Sequence, residues 1–254
     1  MLPAMFNLSG KVALITGGSK GLGKAMARGL AEAGADIVIS SRHEDELKSA
    51  LAEILKGTER KGAYLVADMS KRTEVGKLAA FALEKMGKVD ILINNAGTNV
   101  PEAIDVITDA EWDRIMEINL NSVMALTRAL VPQMKARKWG RVIHISSIMA
   151  FVSNNGRNIY SATKAALVGM ARASALDLGP FGVTVNCIAP GPFLTDLPAS
   201  VLSKEEQDRF GKMTALGRWG DPKELVGTSL LMASDAGSYI TGSTFVVDGG
   251  FIAR

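Results

Sequence analysis

The segment Val12-Ala-Leu-Ile-Thr-Gly-Gly-Ser-Lys-Gly-Leu-Gly23 decides the fold. Its first four residues are apolar and partly β-branched, which predicts a buried strand over Val12–Ile15. The glycines that follow permit a sharp turn and let a pyrophosphate approach main-chain N–H groups. A helix over Leu22–Ala33 adds free N–H donors and a partial positive charge at the same turn. This context predicts a dinucleotide site, with a tight turn that binds no ligand as the alternative.

The residues of the turn that we expect to contact the coenzyme share a place between strand and helix. They are Gly17, Ser19, Lys20, Gly21, Leu22 and Gly23.

Strands and helices alternate along the rest of the chain. Strands are predicted at Val12–Ile15, Ile37–Ile39, Ala63–Val66, Val89–Ile93, Val142–Ile145, Val183–Ile188 and Thr244–Val247. Helices are predicted at Leu22–Ala33, Asp45–Leu55, Thr73–Lys85, Asp109–Lys135, Tyr160–Leu178 and Pro222–Ala233. Apolar strands separated by helices indicate a parallel sheet covered on both faces. Right-handed crossovers then give an α/β fold with a doubly wound, Rossmann-type sheet of about seven strands.

The chain shows no linker and no internal repeat, so we expect residues 1–254 to form a single domain. The alternation fails only between Pro190 and Asp221, where no strand is predicted. An excursion of this length is often functional, so we expect a substrate lid around residues 190–221. An ordinary surface insertion is the alternative.

Composition narrows the classes of function. The 254 residues are 47% hydrophobic and 22% charged, which is enough to bury a full core. The net charge of +3 comes from scattered basic residues, so we expect no nucleic-acid partner. No apolar run approaches the roughly 18 residues that span a bilayer, and the start lacks a signal peptide pattern. Cys187 is the only cysteine and lies in a predicted strand, which predicts a buried structural thiol in a cytoplasmic, membrane-free protein.

The end of the second strand indicates which coenzyme binds. Enzymes for the unphosphorylated dinucleotide present an acid to the ribose 2′-hydroxyl about 20 residues after the glycines. Here the strand ends in Ser40-Ser41-Arg42, and no carboxylate occurs before Glu44. Arg42 and Lys20 can bind a 2′-phosphate, and Ser41 can add a neutral hydrogen bond. We therefore predict NADP(H), with NAD(H) as the weaker coenzyme.

Asp68 and Met69 follow the third strand. At this place the Asp68 carboxylate can accept a hydrogen bond from the adenine amino group. A role in capping the next helix or turn is an equal alternative.

The segment Tyr160-Ser-Ala-Thr-Lys164 carries candidate chemistry. Tyrosine and lysine four positions apart leave the same helical face. A lysine cation roughly 4–5 Å away would lower the tyrosine pKa from about 10 by roughly 2–3 units, into the range for general acid–base catalysis. Such a pair is also common on solvated helices. Ser147, thirteen residues upstream, and the glycine-rich turn favour the catalytic interpretation.

Together these motifs resemble the short-chain dehydrogenases/reductases over essentially the whole chain. The matching pieces are Thr16–Gly23, Asp68, Asn94-Asn-Ala-Gly97, Asn119, Ser147, Tyr160-Ser-Ala-Thr-Lys164, and Val185-Asn-Cys-Ile-Ala-Pro-Gly191 with Thr195. The resemblance implies a Rossmann-type fold, a nicotinamide coenzyme, no metal, and hydride transfer between an alcohol and a carbonyl group.

The resemblance also implies catalytic roles. Tyr160 would be the general acid/base, and Lys164 would bind the nicotinamide ribose and lower the tyrosine pKa. Ser147 would donate a hydrogen bond to the reacting oxygen. Asn119 would hold a water that links Lys164 to solvent.

Further coenzyme contacts follow from the same resemblance. The turn with Asn95, Ala96 and Gly97 would flank the adenosine side, and Asn95 would mainly tie the sheet together. Ile188 and Thr195 would meet the nicotinamide carboxamide, beside Pro190 and Gly191. A homotetramer would be the expected assembly.

The resemblance leaves the substrate open between a sugar acid or polyol and a 3-oxoacyl compound, because the chain is similar to gluconate 5-dehydrogenases and to 3-oxoacyl-carrier-protein reductases. The latter usually carry an arginine before the sixth strand, where this chain has Phe181. Lys138 or Arg141 would be the alternative cation for a carrier protein.

The predicted pocket wall is apolar and consists of Ile148, Met149, Phe193, Leu194 and Leu197. It suits a polyhydroxy acid only if Asn154, Asn155 and Arg157 face inward. The alternative function is a non-catalytic NADP(H)-binding sensor, which would be expected to lose Tyr160 or Lys164; this chain retains both.

Overall fold

A parallel seven-stranded sheet forms the centre of the computed structural model, which describes residues 3–195 and 203–253. The strand order is β3-β2-β1-β4-β5-β6-β7. The strands are β1 Val12–Thr16, β2 Asp36–Ser41, β3 Gly62–Val66, β4 Ile91–Asn94, β5 Gly140–Ile145, β6 Val183–Pro190 and β7 Thr244–Val247. All seven predicted strands are confirmed.

Eight α-helices are described beside the sheet. They are α1 Gly21–Glu32, α2 Glu44–Leu55, α3 Arg72–Met86, α4 Asp109–Met116, α5 Ser122–Ala136, α6 Asn158–Leu178, α7 Lys204–Lys212 and α8 Val226–Ala233. A short 3-10 turn, Pro222–Leu225, leads into α8. Among the described residues between Pro190 and Asp221, only α7 and an isolated bridge between Phe193 and Gly220 occur, so no sheet strand lies there.

The sheet is covered on both faces because side chains of a strand alternate between them. In β1, Leu14 packs into one core with α3, α5 and α6, whereas Ala13 and Ile15 pack into the other with α1, α2 and α8. The doubly wound Rossmann-type architecture is thereby confirmed. No helix within 3–195 and 203–253 has the length and apolar character needed to cross a membrane.

The prediction of one continuous helix over Asp109–Lys135 is wrong in one respect. A π-helical turn at Glu117–Asn121 separates α4 from α5. Ser122 donates its backbone N–H to the Glu117 carbonyl, five residues back. A π turn inserts one residue into the helix and changes the direction of its side chains. Apolar periodicity alone does not reveal such a turn.

The direction of winding reverses at the boundary between β1 and β4. Strands β2 and β3 lie on one side of this boundary, and β5, β6 and β7 lie on the other. In open α/β sheets, ligands bind at such a switch point, beyond the carboxyl ends of the strands. The predicted site residues follow these strand ends.

Candidate active site

The turn after β1 contains contacts that are too close for any side chain. A Cβ atom on Gly23 would lie 2.2 Å from the Gly17 carbonyl oxygen, so the first turn of α1 packs directly on the loop. Gly17 and Gly21 have φ of +64° and +51°, in the left-handed region. The turn therefore exposes main-chain N–H groups at the N-terminus of α1, as a pyrophosphate site requires.

Asn95 joins this turn to the end of β4. Its side-chain amide donates to the carbonyl oxygens of Thr16 and Gly17 at 2.9 and 3.1 Å. The Thr16 hydroxyl oxygen in turn accepts from the backbone N–H groups of Asn95 and Ala96 at 3.0 Å each. Asn95 thus links the sheet, as predicted.

A hollow of about 410 Å³ opens beside the turn. The predicted residues that line it are Gly17, Ser19, Lys20, Ser41, Arg42, Asp68, Met69, Asn95, Ala96 and Gly97. The sequence analysis missed others, including His43, Glu46, Thr98, Arg114 and Ile118. These residues lie on helices and loops that only the tertiary structure brings to the strand ends.

The sequence shows no carboxylate between the second strand and Glu44, but the folded chain brings an acid from α2 to Lys20. Glu46, in α2, pairs with Lys20 at 2.7 Å, and its other oxygen lies 3.5 Å from the Ser19 hydroxyl. The Lys20 hydrogen bond holds the pKa of Glu46 below its usual value. Arg42 makes no direct ion pair within the described part of the chain, and its charge acts on the nearby Asp68 carboxylate, which lines the same hollow.

Asp68 takes part in the turn after β3. Its Oδ1 accepts from the backbone N–H and the hydroxyl of Ser70 at 2.9 and 2.8 Å. Burial raises the pKa of Asp68, but the two Ser70 hydrogen bonds and the nearby Lys71 and Arg42 charges outweigh it and lower the pKa overall. Asp68 therefore caps this turn, which was the alternative role considered for it. The residue also lines the 410 Å³ hollow.

A second hollow of about 810 Å³ continues from the first. Arg42, Asn95, Gly97 and Thr98 line both, so the two form one cleft. Ser147, Tyr160, Lys164, Leu22, Pro190 and Gly191 line the second hollow. The structure thus places the predicted catalytic side chains beside the predicted coenzyme turn.

Ser147 and Tyr160 line the same hollow, and the Ser147 hydroxyl acts on the Tyr160 hydroxyl so as to lower its pKa. Ser147 follows β5, and its hydroxyl oxygen accepts from the Met149 backbone N–H at 3.1 Å. Because that contact uses a lone pair, the hydroxyl hydrogen can donate to the Tyr160 oxygen. Tyr160 lies in the first turn of α6, which fixes its position against the end of β5.

The predicted net lowering of the Tyr160 pKa is not found, because burial outweighs the nearby charges. Burial raises the pKa of Tyr160 above its ordinary value of 10.0, while the Ser147 hydrogen bond and the Arg157 charge lower it by less. At neutral pH the protein groups therefore favour the neutral phenol, which is the proton-donating form.

Lys164 is held under the end of β5. The residue is 4% exposed, and its ammonium donates to the Ile145 carbonyl oxygen at 2.8 Å. The same ammonium lies 5.5 Å from the centre of the Tyr160 ring. Burial lowers the pKa of Lys164 to about 8, so it is mostly charged at pH 7.

Asn119 sits in the π-helical turn and joins two segments of the site. Its Oδ1 accepts from the Thr98 N–H at 2.8 Å, and its Nδ2 donates to the Thr98 carbonyl at 2.9 Å and to Thr163 Oγ1 at 3.2 Å. It thereby fixes the loop after β4 against α6. The residue is fully buried, so its side chain does not line the cleft.

Two predicted coenzyme contacts are not found at the catalytic end. Ile188 is 0% exposed, and its carbonyl accepts from the Ser146 N–H at 2.7 Å, so it does not line the hollow that contains Tyr160. The alternation of strand β6 places its side chain in the core. Thr195 instead lies against Gly21, on the side of the pyrophosphate turn.

The walls of the second hollow differ from prediction. Ile148 and Met149 line it, with Asn154 and Arg157 facing inward; Asn155 does not line it. Phe193 is buried against Gly220, and Leu194 lies beside the α1 surface instead. Leu197 is outside the described residues. The sequence analysis missed Thr98, Asn99, Pro101, Phe210, Trp219 and Phe251.

The two alternative cations for a carrier protein have different surroundings. Arg141 is buried, stacks 4.4 Å from the Trp139 ring centre and donates to the Ser234 carbonyl, so it is not available to a partner. Lys138 is exposed. Phe181 is partly exposed and lies 4.0 Å from the Lys135 ammonium.

Cys187 is fully buried in β6, and burial raises its pKa to about 12, as expected for a structural thiol. Over the described ranges, no group of three or more His, Cys, Asp or Glu side chains is arranged to hold a metal ion.

Comparisons with known proteins agree with this geometry. A family model described as "Enoyl-(Acyl carrier protein) reductase" matches residues 17–252. Gluconate 5-dehydrogenase of Gluconobacter oxydans is 35% identical over 249 residues, covering 98% of this chain and 97% of the relative. Human dehydrogenase/reductase SDR family member 4 is also 35% identical, over 97% of this chain and 89% of its own length. The chain belongs to the short-chain dehydrogenase/reductase family.

Two further reductases are similar to this chain over nearly its whole length. A 3-oxoacyl-(acyl-carrier-protein) reductase of Aquifex aeolicus is 33% identical over 96% of this chain and 98% of its own length. The crystal structure of a 3-oxoacyl (acyl-carrier-protein) reductase from Agrobacterium tumefaciens C58 with NADP bound has a TM-score of 0.93, with 33% identity over 98% of this chain and 97% of that chain. As a short-chain dehydrogenase/reductase, the protein is an oxidoreductase that acts on CH–OH or carbonyl groups.

Proposed function

We propose that this short-chain dehydrogenase/reductase interconverts a secondary alcohol and a ketone with NADP(H), using Tyr160 as the general acid/base. The observation that carries the proposal is that Ser147 and Tyr160 line one hollow together with the buried Lys164, whose ammonium lies 5.5 Å from the Tyr160 ring centre, at the end of a glycine-lined cleft. Bound coenzyme would supply the hydride donor or acceptor.

The residues of the cleft fit a dinucleotide. The contact between Gly23 and Gly17 leaves the N-terminus of α1 open to a pyrophosphate, and Thr195 lies beside it. At the adenosine end, the hydroxyl oxygen of Ser41 is buried without a partner among the described residues, so it can bind a ribose or phosphate oxygen. Met69 and Asp68 form the adenine side.

The protein groups move a proton while they hold the reacting oxygen. In the direction of reduction, the neutral Tyr160 phenol gives its proton to the carbonyl oxygen, and Ser147 donates a second hydrogen bond that stabilises the developing charge. Lys164 faces the Tyr160 ring and favours the phenolate that remains. Asn119 fixes the Thr98 loop and α6 around it, and we assign the proton-relay water to its neighbourhood.

NADP(H) is proposed as the preferred coenzyme and NAD(H) as the weaker one. The Arg42 cation at the adenosine end supports this, and the related reductase from Agrobacterium tumefaciens C58 binds NADP. Glu46 weakens the preference, since it already pairs with Lys20.

The substrate is proposed to be a sugar acid or polyol, or a 3-oxoacyl compound. The relatives named gluconate 5-dehydrogenase and 3-oxoacyl-(acyl-carrier-protein) reductase support these two classes. Residues 190–221 are proposed as the lid over this substrate within one domain, because Phe210 and Trp219 line the hollow.

Assembly and location are further proposals. We infer a homotetramer in the cytoplasm, supported by exposed apolar side chains of Leu176 on α6 and of Tyr239 and Val246 near the last strand, and by the lone buried thiol. A monomeric mass by light scattering at micromolar concentration would contradict the tetramer.

Tyr160→Phe tests the chemistry. We expect turnover of a generic diketone with NADPH to fall by roughly 10²–10⁴-fold, while NADPH binding persists. Tyr64→Phe is the matched control, because it removes a hydroxyl on the outer strand β3 that donates to the exposed Glu44 carboxylate of α2. Near-normal turnover in Tyr160→Phe would refute the assignment. NADPH binding without any turnover by the unaltered protein would instead indicate a sensor.

A further inference from the structure

The side chains that line the second hollow carry a net positive charge. Among the described residues that line it are three cations, Arg42, Arg157 and Lys164, and no Asp or Glu. Lys164 donates to the Ile145 carbonyl beneath Tyr160, and Arg42 also lines the adenosine hollow. Arg157 is therefore the cation that faces the substrate side of the cleft.

The Arg157 guanidinium has no ion-pair or hydrogen-bond partner in the parts of the chain that the structure describes. Only its backbone is engaged, through bonds to Asn154 and Ser161 and a bridge to Glu102. The side chain is half-buried, so much of its hydration is already lost. An unpaired, partly desolvated guanidinium in a cleft favours an anionic ligand.

Arg157 lies one helical turn from the chemistry. It immediately precedes α6, three residues before Tyr160, so the two side chains leave neighbouring positions on one face. Arg157 and Tyr160 line the same hollow, and the Arg157 charge is close enough to act on the Tyr160 hydroxyl. A group bound to Arg157 would therefore belong to the molecule whose oxygen reacts at Tyr160.

Asn99 and Asn154 add hydrogen-bonding capacity to the same wall. The Asn99 side-chain oxygen is buried and accepts no hydrogen bond from any described residue. Buried polar atoms normally have partners, so this oxygen is suited to a hydroxyl or other donor of a ligand. The facing wall is apolar and aromatic, with Phe210, Trp219 and Phe251.

We propose that Arg157 binds a carboxylate of the substrate, so that the substrate is an oxo acid and the product the corresponding hydroxy acid. A single guanidinium matches a carboxylate of charge −1 better than a phosphate that carries nearly twice that charge. The inference rests on the proposed alcohol–ketone chemistry and narrows it: a free acid is favoured over a neutral polyol or a thioester.

Matched pairs of acid and ester test the charge alone. We would measure kcat/KM with NADPH for 3-oxobutanoate, 4-oxopentanoate and 5-oxohexanoate, each against its methyl ester. We expect at least one acid to be preferred by roughly ten- to a hundredfold, the range for one charge-assisted hydrogen bond. Arg157→Gln should remove that preference by raising KM for the acid, so that the ratio of kcat/KM for the acid to kcat/KM for its ester falls to about one.

Two further variants serve as controls. Arg157→Lys keeps the charge without the bidentate geometry and should retain part of the preference. Arg60→Gln removes a charge of the same kind near the Gly34 carbonyl, outside the cleft. It should change kcat/KM for neither the acid nor its ester. Because the Arg157 side chain has no described partner, its variants should melt within about 2 °C of the unaltered protein.

A binding measurement separates this inference from the proposed chemistry. We would titrate the same three acids and esters calorimetrically into the unaltered protein, Arg157→Gln and Tyr160→Phe. Tighter binding of an acid than of its ester, lost in Arg157→Gln and kept in Tyr160→Phe, supports the carboxylate site even if turnover fails. Equal binding of every acid and its ester, or an acid preference that survives in Arg157→Gln, overturns it.

Discussion

The two ends of the coenzyme cleft hold their charges in different ways. At the catalytic end, Lys164 is 4% exposed and bound to a backbone carbonyl. At the adenosine end, the side chains of the pair Lys20 and Glu46 are 56% and 32% exposed, respectively. Buried charges depend strongly on their fixed partners, whereas exposed pairs contribute little and are easily exchanged. We therefore expect chemistry to be fixed by the first end and coenzyme choice to be adjustable at the second.

The largest effect is expected where the two ends meet, at the pyrophosphate turn. Gly23→Ala places a Cβ atom 2.2 Å from the Gly17 carbonyl oxygen and 2.5 Å from the Asn95 amide, both of which hold the turn. We expect a loss of about 3 kcal/mol in the free energy of unfolding, and loss of both NADPH and NADH binding. Urea unfolding and coenzyme titration measure the two effects.

Gly76→Ala is the matched control for that change. Gly76 is exposed in α3, and a Cβ atom there meets nothing within 4 Å. Because alanine is the better helix former, the variant should be more stable by about 0.5–1 kcal/mol. If Gly23→Ala were as stable as Gly76→Ala, the close packing of the turn would be contradicted.

The next effect concerns the cost of burying Lys164. Its pKa falls from 10.5 to about 8 on folding, so between these values the unfolded chain binds more protons than the folded one. Stability then rises with pH across that window, and the cost is fully present below pH 8. Lys164→Met should raise the free energy of unfolding by about 2–3 kcal/mol at pH 7, and the gain should shrink steadily toward pH 10.

Chemical unfolding of both proteins at several pH values between 7 and 10 checks this expectation. Lys56→Met, which removes an exposed lysine after α2, should show no such pH-dependent gain. A gain that stays constant to pH 10 would show that apolar packing, rather than the buried charge, explains the difference.

Arg42→Leu examines the adenosine end. Because Glu46 neutralises Lys20, Arg42 is the cation that remains for a 2′-phosphate, and charge-assisted hydrogen bonds contribute about 1.5–3 kcal/mol each. We expect the NADPH Michaelis constant to rise by roughly ten- to a hundredfold, with NADH kinetics little changed. Values of kcat/KM for both coenzymes decide: a preference for NADH in the unaltered protein, or an unchanged NADPH efficiency in the variant, contradicts the argument.

The smallest effect is expected from Glu46→Gln. Removing this carboxylate frees Lys20 and removes its repulsion of a 2′-phosphate, but the pair is solvated, so the NADPH Michaelis constant should fall by only about two- to fivefold. Glu53→Gln is the matched control, because Glu53 makes a similar α2-to-α1 pair with Lys24 at 2.6 Å and does not line the adenosine hollow. Equal effects of the two changes on NADPH would show that Glu46 has no special role.

The sheet could be predicted from the sequence because its strands are short, mostly apolar runs, and the inner strands β1, β4, β5 and β6 are buried on both faces. Strand β1, with all five residues buried, is an example. Tyr160, Lys164 and Ser147 could also be placed, since strand ends of a parallel sheet converge. Their electrostatics could not, because burial of the phenol, which raises the Tyr160 pKa, is its largest cause of shift and depends on tertiary packing.

Other features depend on contacts between distant segments. The pairing of Glu46 with Lys20 needs α1 and α2 to be adjacent, and the exclusion of Ile188 from the cleft depends on the facing of β6 side chains. Arg157 was recognisable as a polar residue before the catalytic helix, but only the structure shows that it lines the same hollow as Tyr160. Local pattern thus predicts the elements, and packing decides which side chains meet.

The π-helical turn at Glu117–Asn121 determines what the deletion of one residue from this helix would do. It contains one residue more than a regular helical turn needs, and each residue of an α-helix rotates its side chain by about 100°. Deleting one residue here would let α4 and α5 join as a continuous helix, which backbone energetics favour, yet would swing Asn119 away from Thr98 and Thr163. Short deletions in this helix are therefore expected to be tolerated by folding and rejected by activity.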